Sequence, residues 1–310
     1  MEINKIYQEP CLDTLRKMPD EFVDCVITSP PYWQLRDYGY PEQWGLEPTF
    51  QEYLEHLWEM MNEIYRVLKP EGTVWINLGD TYSGSGGSGG DYNQNGLREG
   101  QPKVKPPKSI QNKCLLLIPH RFAIGCIEKG WILRNDIIWA KRNGMPESVT
   151  DRFSKKHEYI FFMVKQEKYF FDLDSIRDKH KWAHDKRNDG KRHQYADGVK
   201  SQNNEWLATN AVSFNPNGKN PGSVSDFWDV TTKGSSSEHY AAYNDELIKK
   251  PILAGCPEGG IIYDPFMGTG STAEAALRAN RNFIGSEMGE KYCKIAEERL
   301  NPFLMQQKLF

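Results

Sequence analysis

The chain of 310 residues lacks several features that assign proteins to large classes. Its six cysteines are scattered without a Cys-x-x-Cys pair, so neither a disulfide framework nor a zinc knuckle is predicted. His180 and His184 lie one helical turn apart, but no carboxylate or thiol spacing accompanies them, so no metal site is predicted. No basic-apolar-small signal segment opens the sequence and no apolar run is long enough to span a bilayer. Together these absences predict a cytoplasmic protein with reduced thiols.

Net charge is also low, at −3, but it is unevenly distributed. The window Arg177 to Lys200 holds eight Lys or Arg against four Asp, a net +4 that leaves −7 for the remainder. Cationic side chains beside aromatic ones suit contact with phosphates and stacked bases, which favours nucleic-acid binding; a solvated surface segment is the alternative. The candidate contact residues are Lys179, Lys181, Trp182, Lys186, Arg187, Lys191 and Arg192.

Strand-like and helix-like segments alternate from Val23 onward. Val23 to Ile27 is typical of a buried strand, and Thr49 to Leu68 has helical apolar spacing after a Thr49-x-x-Glu52 capping box. Lys69 to Gly72 is predicted to stop that helix before a strand over Thr73 to Leu78. Strand, crossover helix and strand form one parallel unit, so the sequence predicts a doubly wound α/β sheet.

The same rhythm continues along the chain, with two interruptions. Ser83 to Lys108 is rich in glycine and predicts a mobile loop, and Arg177 to about Ser225 lacks apolar periodicity. The other predicted elements are a helix between Pro119 and Gly130, strands over Trp131 to Ala140, Glu158 to Val164, Ile261 to Tyr263 and Asn282 to Gly285, and a helix over Ala273 to Ala279 with a capping box at Ser271-x-x-Glu274.

The first predicted strand ends abruptly at Thr28-Ser29-Pro30-Pro31-Tyr32-Trp33. Two prolines fix φ and remove two backbone donors, so their carbonyls are left to accept hydrogen bonds from a ligand. Ser29 adds a hydroxyl acceptor and Tyr32 an aromatic face. These groups predict a pocket for a nucleobase with an exocyclic amine. A proline-terminated strand with a packed tyrosine is the alternative.

A second candidate site follows Ile261 to Tyr263, where Asp264-Pro265-Phe266-Met267-Gly268-Thr269-Gly270-Ser271-Thr272 turns into a helix. The two glycines let a ligand approach the backbone, and the helix start presents N–H groups. A phosphate loop needs Lys where Gly270 stands, which excludes a nucleoside triphosphate. A dinucleotide and S-adenosylmethionine both remain, because Glu287 can hold the ribose hydroxyls of either. A tight turn without ligand is the third interpretation.

Taken together, the two corners resemble the amino-methylating DNA methyltransferases of the permuted kind, in which the catalytic motif precedes the cofactor motif. Thr28 to Trp33 matches the catalytic motif, and Asp264-Pro265-Phe266-x-Gly268-x-Gly270 matches the S-adenosylmethionine loop. Phe283 to Glu287 resembles the ribose-binding strand end. Three further segments also resemble family landmarks: Leu78 to Tyr82, Asp136 to Lys141 and His157 to Tyr159.

The resemblance implies a doubly wound, mostly parallel sheet with an inserted target-recognition segment. Residues 1–172 form the catalytic half with a mobile loop at 83–109, residues 173–236 the recognition segment, and residues 237–310 the cofactor half. It implies catalytic roles for Ser29, Pro30, Pro31 and Tyr32. It assigns cofactor contacts to Asp264, Phe266, Gly268, Gly270, Ser271, Glu287, His239 and Tyr243. The stretch His239 to Asn244 keeps the family's aromatic residue but lacks its proline.

The implied reaction is methyl transfer from S-adenosyl-L-methionine to N4 of a cytosine rotated out of double-stranded DNA. Ser in front of Pro-Pro-Tyr resembles the enzymes that make N4-methylcytosine, and N6-methyladenine is the alternative. Methylation of RNA or of a protein amide, and a non-catalytic nucleic-acid-binding module, are further alternatives. No cysteine occupies the corner, so a covalent route to cytosine carbon is not predicted. The implied partners are DNA and a cognate restriction endonuclease, with the chain a monomer or homodimer.

Overall fold

The computed structural model describes residues 1–84, 110–144, 149–177, 226–231 and 245–307. The chain divides into two compact units, Met1–Asp172 with Asp226–Phe310, and Leu173–Ser225. Only residues 173–177 of the second unit are described, and they contain a short 3₁₀ turn at Asp174–Ile176. Of the predicted recognition segment, residues 173–236, the structure describes only 173–177 and 226–231, and residues 85–109 of the predicted mobile loop lie outside the described residues.

An eight-stranded sheet forms the centre of the first unit, in the order β1-β8-β7-β2-β3-β5-β4-β6. Strand β5 is antiparallel to both of its neighbours and every other pairing is parallel, which confirms the predicted doubly wound, mostly parallel fold. The strands are β1 (Lys5–Tyr7), β2 (Val23–Thr28), β3 (Leu68–Leu78), β4 (Ile132–Ala140), β5 (His157–Val164), β6 (Phe227–Asp229), β7 (Ile261–Asp264) and β8 (Asn282–Ser286).

Helices cover both faces of this sheet. They are α1 (Cys11–Lys17), α2 (Phe50–Val67), α3 (Ile118–Glu128), α4 (Asp245–Gly255), α5 (Ser271–Arg278) and α6 (Glu290–Gln307). One apolar core packs α1, α2 and α3 against the sheet, and a second packs α4, α5 and α6 on the other side. Successive β2 residues alternate between the cores, with Val26 in the first and Ile27 in the second, because side chains of a strand point to opposite faces. No described helix is both long and apolar enough to cross a membrane.

Helix α2 begins as predicted, with the Thr49 side chain accepting a hydrogen bond from the Glu52 N–H at 3.2 Å. The helix ends at Val67, next to the predicted stop over Lys69 to Gly72, but the strand that follows begins at Leu68 and not at the predicted Thr73. The pairing of β2 with β3 is irregular here, so Pro70 sits where the ladder shifts register. The apolar pattern of β3 resumes only after this irregularity, which explains why the sequence predicted a shorter strand.

The predicted capping box at the start of α5 is also wrong. Ser271 is the first helical residue, and the cap is Gly270, which has a left-handed φ of 81° and accepts the Glu274 N–H through its carbonyl. The Glu274 carboxylate binds Arg278 and Arg299 instead of reaching back to the cap. A side chain at Gly270 would be strained by φ and would approach Ala296 to 3.1 Å, so glycine sets this turn.

The topology brings together two strand ends that are distant in the chain. Strand β7 lies between β8 and β2, with Cys25 paired to Ile262 and Val26 to Tyr263 in parallel register. Strand β2 leads into α2 on one face of the sheet, and β7 leads into α5 on the other. Connections that diverge from neighbouring parallel strands leave a crevice at their carboxyl ends, which is where such sheets bind ligands.

Candidate active site

A cavity of about 670 Å³ opens at the carboxyl ends of β2 and β7. From the β2 corner it is lined by Ser29, Pro30, Pro31 and Tyr32. From the β7 corner it is lined by Phe266, Gly268 and Ser271, and from the end of β8 by Glu287. The two corners predicted from the sequence therefore face one space.

The side chain of Asp264 joins the two corners from behind the cavity. Its carboxylate is 1% exposed and accepts hydrogen bonds from the hydroxyls of Thr28 and Thr272, each at 2.6 Å, and from the Phe266 N–H at 3.0 Å. Burial raises the pKa of Asp264 to about 6, against the opposing effect of its hydrogen bonds. Asp264 thus fixes the end of β2 to the end of β7 and is not among the residues that line the cavity.

The hydroxyl of Tyr32 lies at the centre of a polar network. It donates to Oε2 of Glu158 at 2.7 Å, and Oδ1 of Asn77 is 3.0 Å away as a second acceptor. Ser29 Oγ in turn donates to the Tyr32 hydroxyl over a longer 3.4 Å. The Tyr32 ring lies so close to Gly79 that a Cβ there would come within 2.5 Å of it. The position of the ring is therefore held at both its edge and its hydroxyl.

Only one of the two proline carbonyls is without a hydrogen bond from the described part of the chain. The carbonyl of Pro31 accepts a hydrogen bond from the buried Tyr53 hydroxyl at 2.7 Å, which corrects the expectation that both would be available. The carbonyl of Pro30 receives no hydrogen bond from the described part of the chain. Pro30 and Ser29 both line the cavity, so a carbonyl and a hydroxyl oxygen offer two adjacent acceptors.

Strands β4 and β5 supply cavity residues to which sequence reasoning had assigned no role. Glu158, at the start of β5, forms an ion pair with Lys141, which follows β4. The Lys141 ammonium also lies 4.2 Å from the centre of the Trp139 ring. All three residues and Asn77 line the cavity. Their position at strand ends is the sequence signal that could have identified them. Because β5 runs antiparallel, its first residues lie at the same edge of the sheet as the last residues of β3 and β4.

Glu287 is positioned by backbone donors at the other end of the cavity. Its two carboxylate oxygens accept the N–H groups of Gly268 at 2.9 Å and Gly289 at 2.7 Å. Burial raises the pKa of Glu287, and these two hydrogen bonds oppose the rise. Each carboxylate oxygen has more than one lone pair, so both oxygens can also accept from a vicinal diol.

The segment between β2 and α2 adds aromatic walls that the sequence reasoning missed. Tyr38, Tyr40 and Trp44 line the cavity together with Tyr292 of α6. Trp44 packs edge-on against Phe266 at 5.4 Å, and Tyr38 against Tyr292 at 6.4 Å. The available signal was composition, since residues 32–44 hold five Tyr or Trp without helical or strand periodicity. These rings give the cavity flat apolar surfaces for a planar group.

Two of the predicted cofactor residues that the structure describes do not line the cavity. Asp264 and Gly270 lie outside its lining and act on the turn itself. His239, Tyr243 and the seven candidate DNA contacts between Lys179 and Arg192 lie outside the described residues. Within the described chain, no group of three or more His, Cys, Asp or Glu is arranged to hold a metal ion.

All six cysteines are unpaired thiols. Cys11 lies at the cavity wall, where burial raises the pKa of its thiol to about 12. A thiol with so high a pKa is a poor nucleophile near neutral pH. The cavity chemistry therefore depends on oxygen acceptors and aromatic rings.

Comparison with known proteins agrees with this geometry. A model of the DNA methylase family matches residues 23–298. The type II methyltransferase M.Cfr9I of Citrobacter freundii is 34% identical over 303 residues, covering 97% of this chain and 89% of that protein. The type II methyltransferase M.SmaI of Serratia marcescens is 32% identical over 297 residues, covering 96% and 90%.

Solved structures show the same fold at lower identity. The PvuII DNA methyltransferase, described as cytosine-N4-specific, superposes with a TM-score of 0.62 at 16% identity, covering 98% of this chain and 92% of that one. A putative DNA modification methylase of Thermus thermophilus, solved with S-adenosyl-L-methionine, gives a TM-score of 0.59 at 20% identity, covering 97% and 94%. By the family match and the relatives above 30% identity, this chain belongs to the N6/N4 family of DNA methylases.

Proposed function

We propose that this protein transfers a methyl group from S-adenosyl-L-methionine to the N4 amine of a cytosine rotated out of double-stranded DNA. One observation carries the proposal: the Ser-Pro-Pro-Tyr corner and the glycine turn line the same cavity and are joined by the Thr28–Asp264 hydrogen bond. A methyl donor and a base amine held at these two corners would meet without any large rearrangement of the sheet.

The residues at the β7 end fit S-adenosyl-L-methionine, the methyl donor of this family. The Glu287 carboxylate would accept from the ribose hydroxyls, Phe266 and Trp44 would flank the adenine, and Gly268 leaves the backbone open to close approach. When bound, the cofactor supplies an electrophilic methyl group on a cationic sulfur. His239 and Tyr243 stay predicted cofactor contacts.

At the β2 end, Ser29 Oγ and the Pro30 carbonyl would accept the two N–H bonds of the base amine. Two acceptors at a planar amine direct its lone pair out of the plane of the base and so toward an incoming methyl group. Tyr32 would stack against the base, since its ring position is already held by Gly79 and Glu158. Alignment of this kind is the main work required, because the electrophile is reactive before the base arrives.

The direction of the hydrogen bonds prepares Ser29 for this role. Tyr32 donates its single proton to the Glu158 carboxylate, and Ser29 donates its own to Tyr32, so the lone pairs of Ser29 Oγ stay available to accept. The ion pair with Lys141 holds this carboxylate in place. The same series of hydrogen bonds, from Ser29 through Tyr32 to Glu158, offers a path along which the proton lost by the methylated amine can leave.

Two findings support cytosine over adenine as the target. The residue before Pro-Pro-Tyr is Ser, and in this respect the chain resembles the enzymes that make N4-methylcytosine. The PvuII enzyme, which shares the fold, is described as cytosine-N4-specific. The family as a whole covers both N6 and N4 methylation, so the chemical identity of the product is the deciding measurement.

The test is product analysis. DNA methylated by the purified protein is digested to nucleosides and analysed by mass spectrometry, with Ser29→Ala and a reaction without S-adenosyl-L-methionine as controls. Detection of N4-methylcytosine in the complete reaction, and in neither control, supports the proposal. N6-methyladenine as the only modified nucleoside would overturn the cytosine assignment while leaving the methylase activity in place.

The setting of the reaction is also part of the proposal. The named relatives are type II methyltransferases, which supports a cognate restriction endonuclease as a functional partner. Residues 173–236, with the cations from Lys179 to Arg192, are proposed to read the DNA sequence. The protein is proposed to act in the cytoplasm, as a monomer or homodimer. Sequencing that maps modified bases in a host expressing the chain would give the recognition site, and randomly placed methylation would contradict site-specific recognition.

A further inference from the structure

Phe153 is the most exposed of the large apolar side chains that the structure describes. It is 96% exposed, against 66% for Met305 and 55% for Ile124. It lies in the connection between β4 and β5, of which residues 141–144 and 149–156 are described. A ring that is almost entirely exposed adds little to the core, so its apolar faces are available to a ligand.

The backbone around Phe153 is fixed on both sides. Asp151 forms an ion pair with Lys113, and the Arg152 guanidinium lies 4.1 Å from the centre of the Tyr82 ring. Lys155 donates a hydrogen bond to the Asp80 carbonyl. Residues immediately before and after Phe153 are therefore attached to the segment that follows β3. The ring is presented by a supported stretch of chain.

This stretch leads directly to the active-site cavity. Glu158, which lines the cavity, is five residues after Phe153, a separation of no more than about 17 Å along the chain. Lys141, at the other end of the same connection, also lines the cavity. Residues 141–156 contain five Lys or Arg and two acids, so the connection that carries the ring has a net positive charge. Exposed aromatic surface beside cations matches the chemistry of a nucleic acid, which offers base faces and phosphates.

We propose that Phe153 is a wedge that inserts into the DNA base stack beside the target base and fills the space left when that base rotates into the cavity. This inference rests on the proposed function, since it requires an extruded base. Extrusion breaks stacking on both sides of the target, and an aromatic ring in the gap restores part of it. The net positive charge of this connection would attract the phosphates on either side without reading the sequence.

The proposal commits to duplex DNA as the occupant of this surface. A second copy of the chain could also cover an apolar residue, but an aromatic ring among cations is poorly matched to an identical cationic surface. Repulsion between like charges would oppose such a contact. Sedimentation of the wild-type protein and of Phe153→Ala separates the two occupants, because loss of a dimer in the variant would assign the ring to a protein contact and overturn the wedge.

The decisive experiment compares Phe153→Ala with Met305→Ala, which removes another exposed apolar side chain on α6. The substrate is a duplex carrying the methylated site mapped by sequencing, and a second duplex has the target base mispaired so that extrusion is easier. We expect Phe153→Ala to lose about tenfold in kcat/KM on the paired duplex and much less on the mispaired one. Met305→Ala should match the wild type on both, and Phe153→Trp should retain most of the activity.

A binding signal that does not depend on methyl transfer completes the test. With pyrrolo-cytosine, a fluorescent cytosine analogue that pairs with guanine, in place of the target base, the wild-type protein should increase the fluorescence as the base unstacks, and Phe153→Ala should increase it less. If Phe153→Ala equals Met305→Ala in both assays, the wedge is wrong although the protein is a methylase. If the wild type itself transfers no methyl group to DNA, the proposed function fails instead.

Discussion

The two corners of the cavity are built in different ways. At the cofactor end, Glu287 is 19 positions from Gly268, whose N–H it accepts, so the contact joins consecutive parts of one strand-helix-strand unit. At the catalytic end, Tyr32 binds Asn77 and Glu158, which lie 45 and 126 positions away on two other strands. The cofactor corner is thus a local motif, whereas the catalytic corner is completed only by the sheet.

The two corners should therefore respond differently to substitution. A local turn depends on few residues, and substitutions there should affect ligand affinity. A corner that depends on distant strands combines chemistry with packing, and substitutions there should affect the rate of the chemical step. The Thr28–Asp264 hydrogen bond, between residues 236 positions apart, is the direct link between the corners.

The largest effect is expected for Ser29→Ala at the catalytic corner. Loss of one of the two acceptors for the amine should lower kcat about 100-fold or more, by analogy with removal of one preorganised hydrogen-bonding group at other active sites. The Kd for S-adenosyl-L-methionine, measured by calorimetry, should stay unchanged. Thr150→Ala, which removes an exposed hydroxyl, is the matched control. Equal losses in kcat and cofactor affinity would contradict the division of roles between the corners.

The next largest effect is expected for Glu287→Gln at the cofactor corner. Hydrogen bonds from a diol to a charged acceptor are stronger than those to an amide, so the Kd for S-adenosyl-L-methionine should rise about 30-fold. At saturating cofactor, kcat should stay within a small factor of the wild type. Calorimetry and single-turnover rates measure these two quantities. An unchanged Kd would show that Glu287 does not hold the ribose.

A smaller loss is expected for Glu158→Gln, which tests whether the catalytic corner depends on its distant partners. The amide keeps the shape but removes the charge that Tyr32 and Lys141 contact, so kcat should fall about tenfold. Glu128→Gln, at the exposed end of α3, is the control. A wild-type rate constant in Glu158→Gln would remove the hydrogen-bond chain from the mechanism.

The last prediction concerns the link between the corners, and it is measured in stability instead of in rate or affinity. Burial raises the pKa of Asp264 from 3.8 to about 6, so the native state holds this proton at higher pH than the unfolded chain does. Its contribution to stability is therefore full below about pH 4 and is lost as pH rises to about 6, a change of up to about 3 kcal/mol. Asp264→Asn cannot titrate and should lack this pH dependence.

Denaturant unfolding of the wild type and of Asp264→Asn at several pH values measures that difference. The stability of the variant relative to the wild type should rise between about pH 4 and about pH 6 and then level off. A constant difference across this window would mean that Asp264 titrates equally in the folded and unfolded states.

Sequence patterns predicted the elements whose signals are local. The helical spacing and Thr49 cap of α2 and the apolar runs of β2 and β8 all correspond to observed elements. Predictions failed where tertiary contacts replaced a local preference. The chain extends into β3 through Pro70 because β2 offers a partner strand, and Glu274 leaves its capping role because Arg299 of the distant α6 pairs with it.

The sequence by itself determined the two strand-end motifs, because prolines, glycines and their neighbouring apolar runs act on the backbone within a few residues. It also determined the family and hence the doubly wound sheet. Only the tertiary structure decided that Asn77, Trp139, Lys141 and Glu158 share the cavity with Ser29 and Tyr32. Strand order sets which ends become neighbours, and a pairing between strands more than a hundred residues apart leaves no local trace in the sequence.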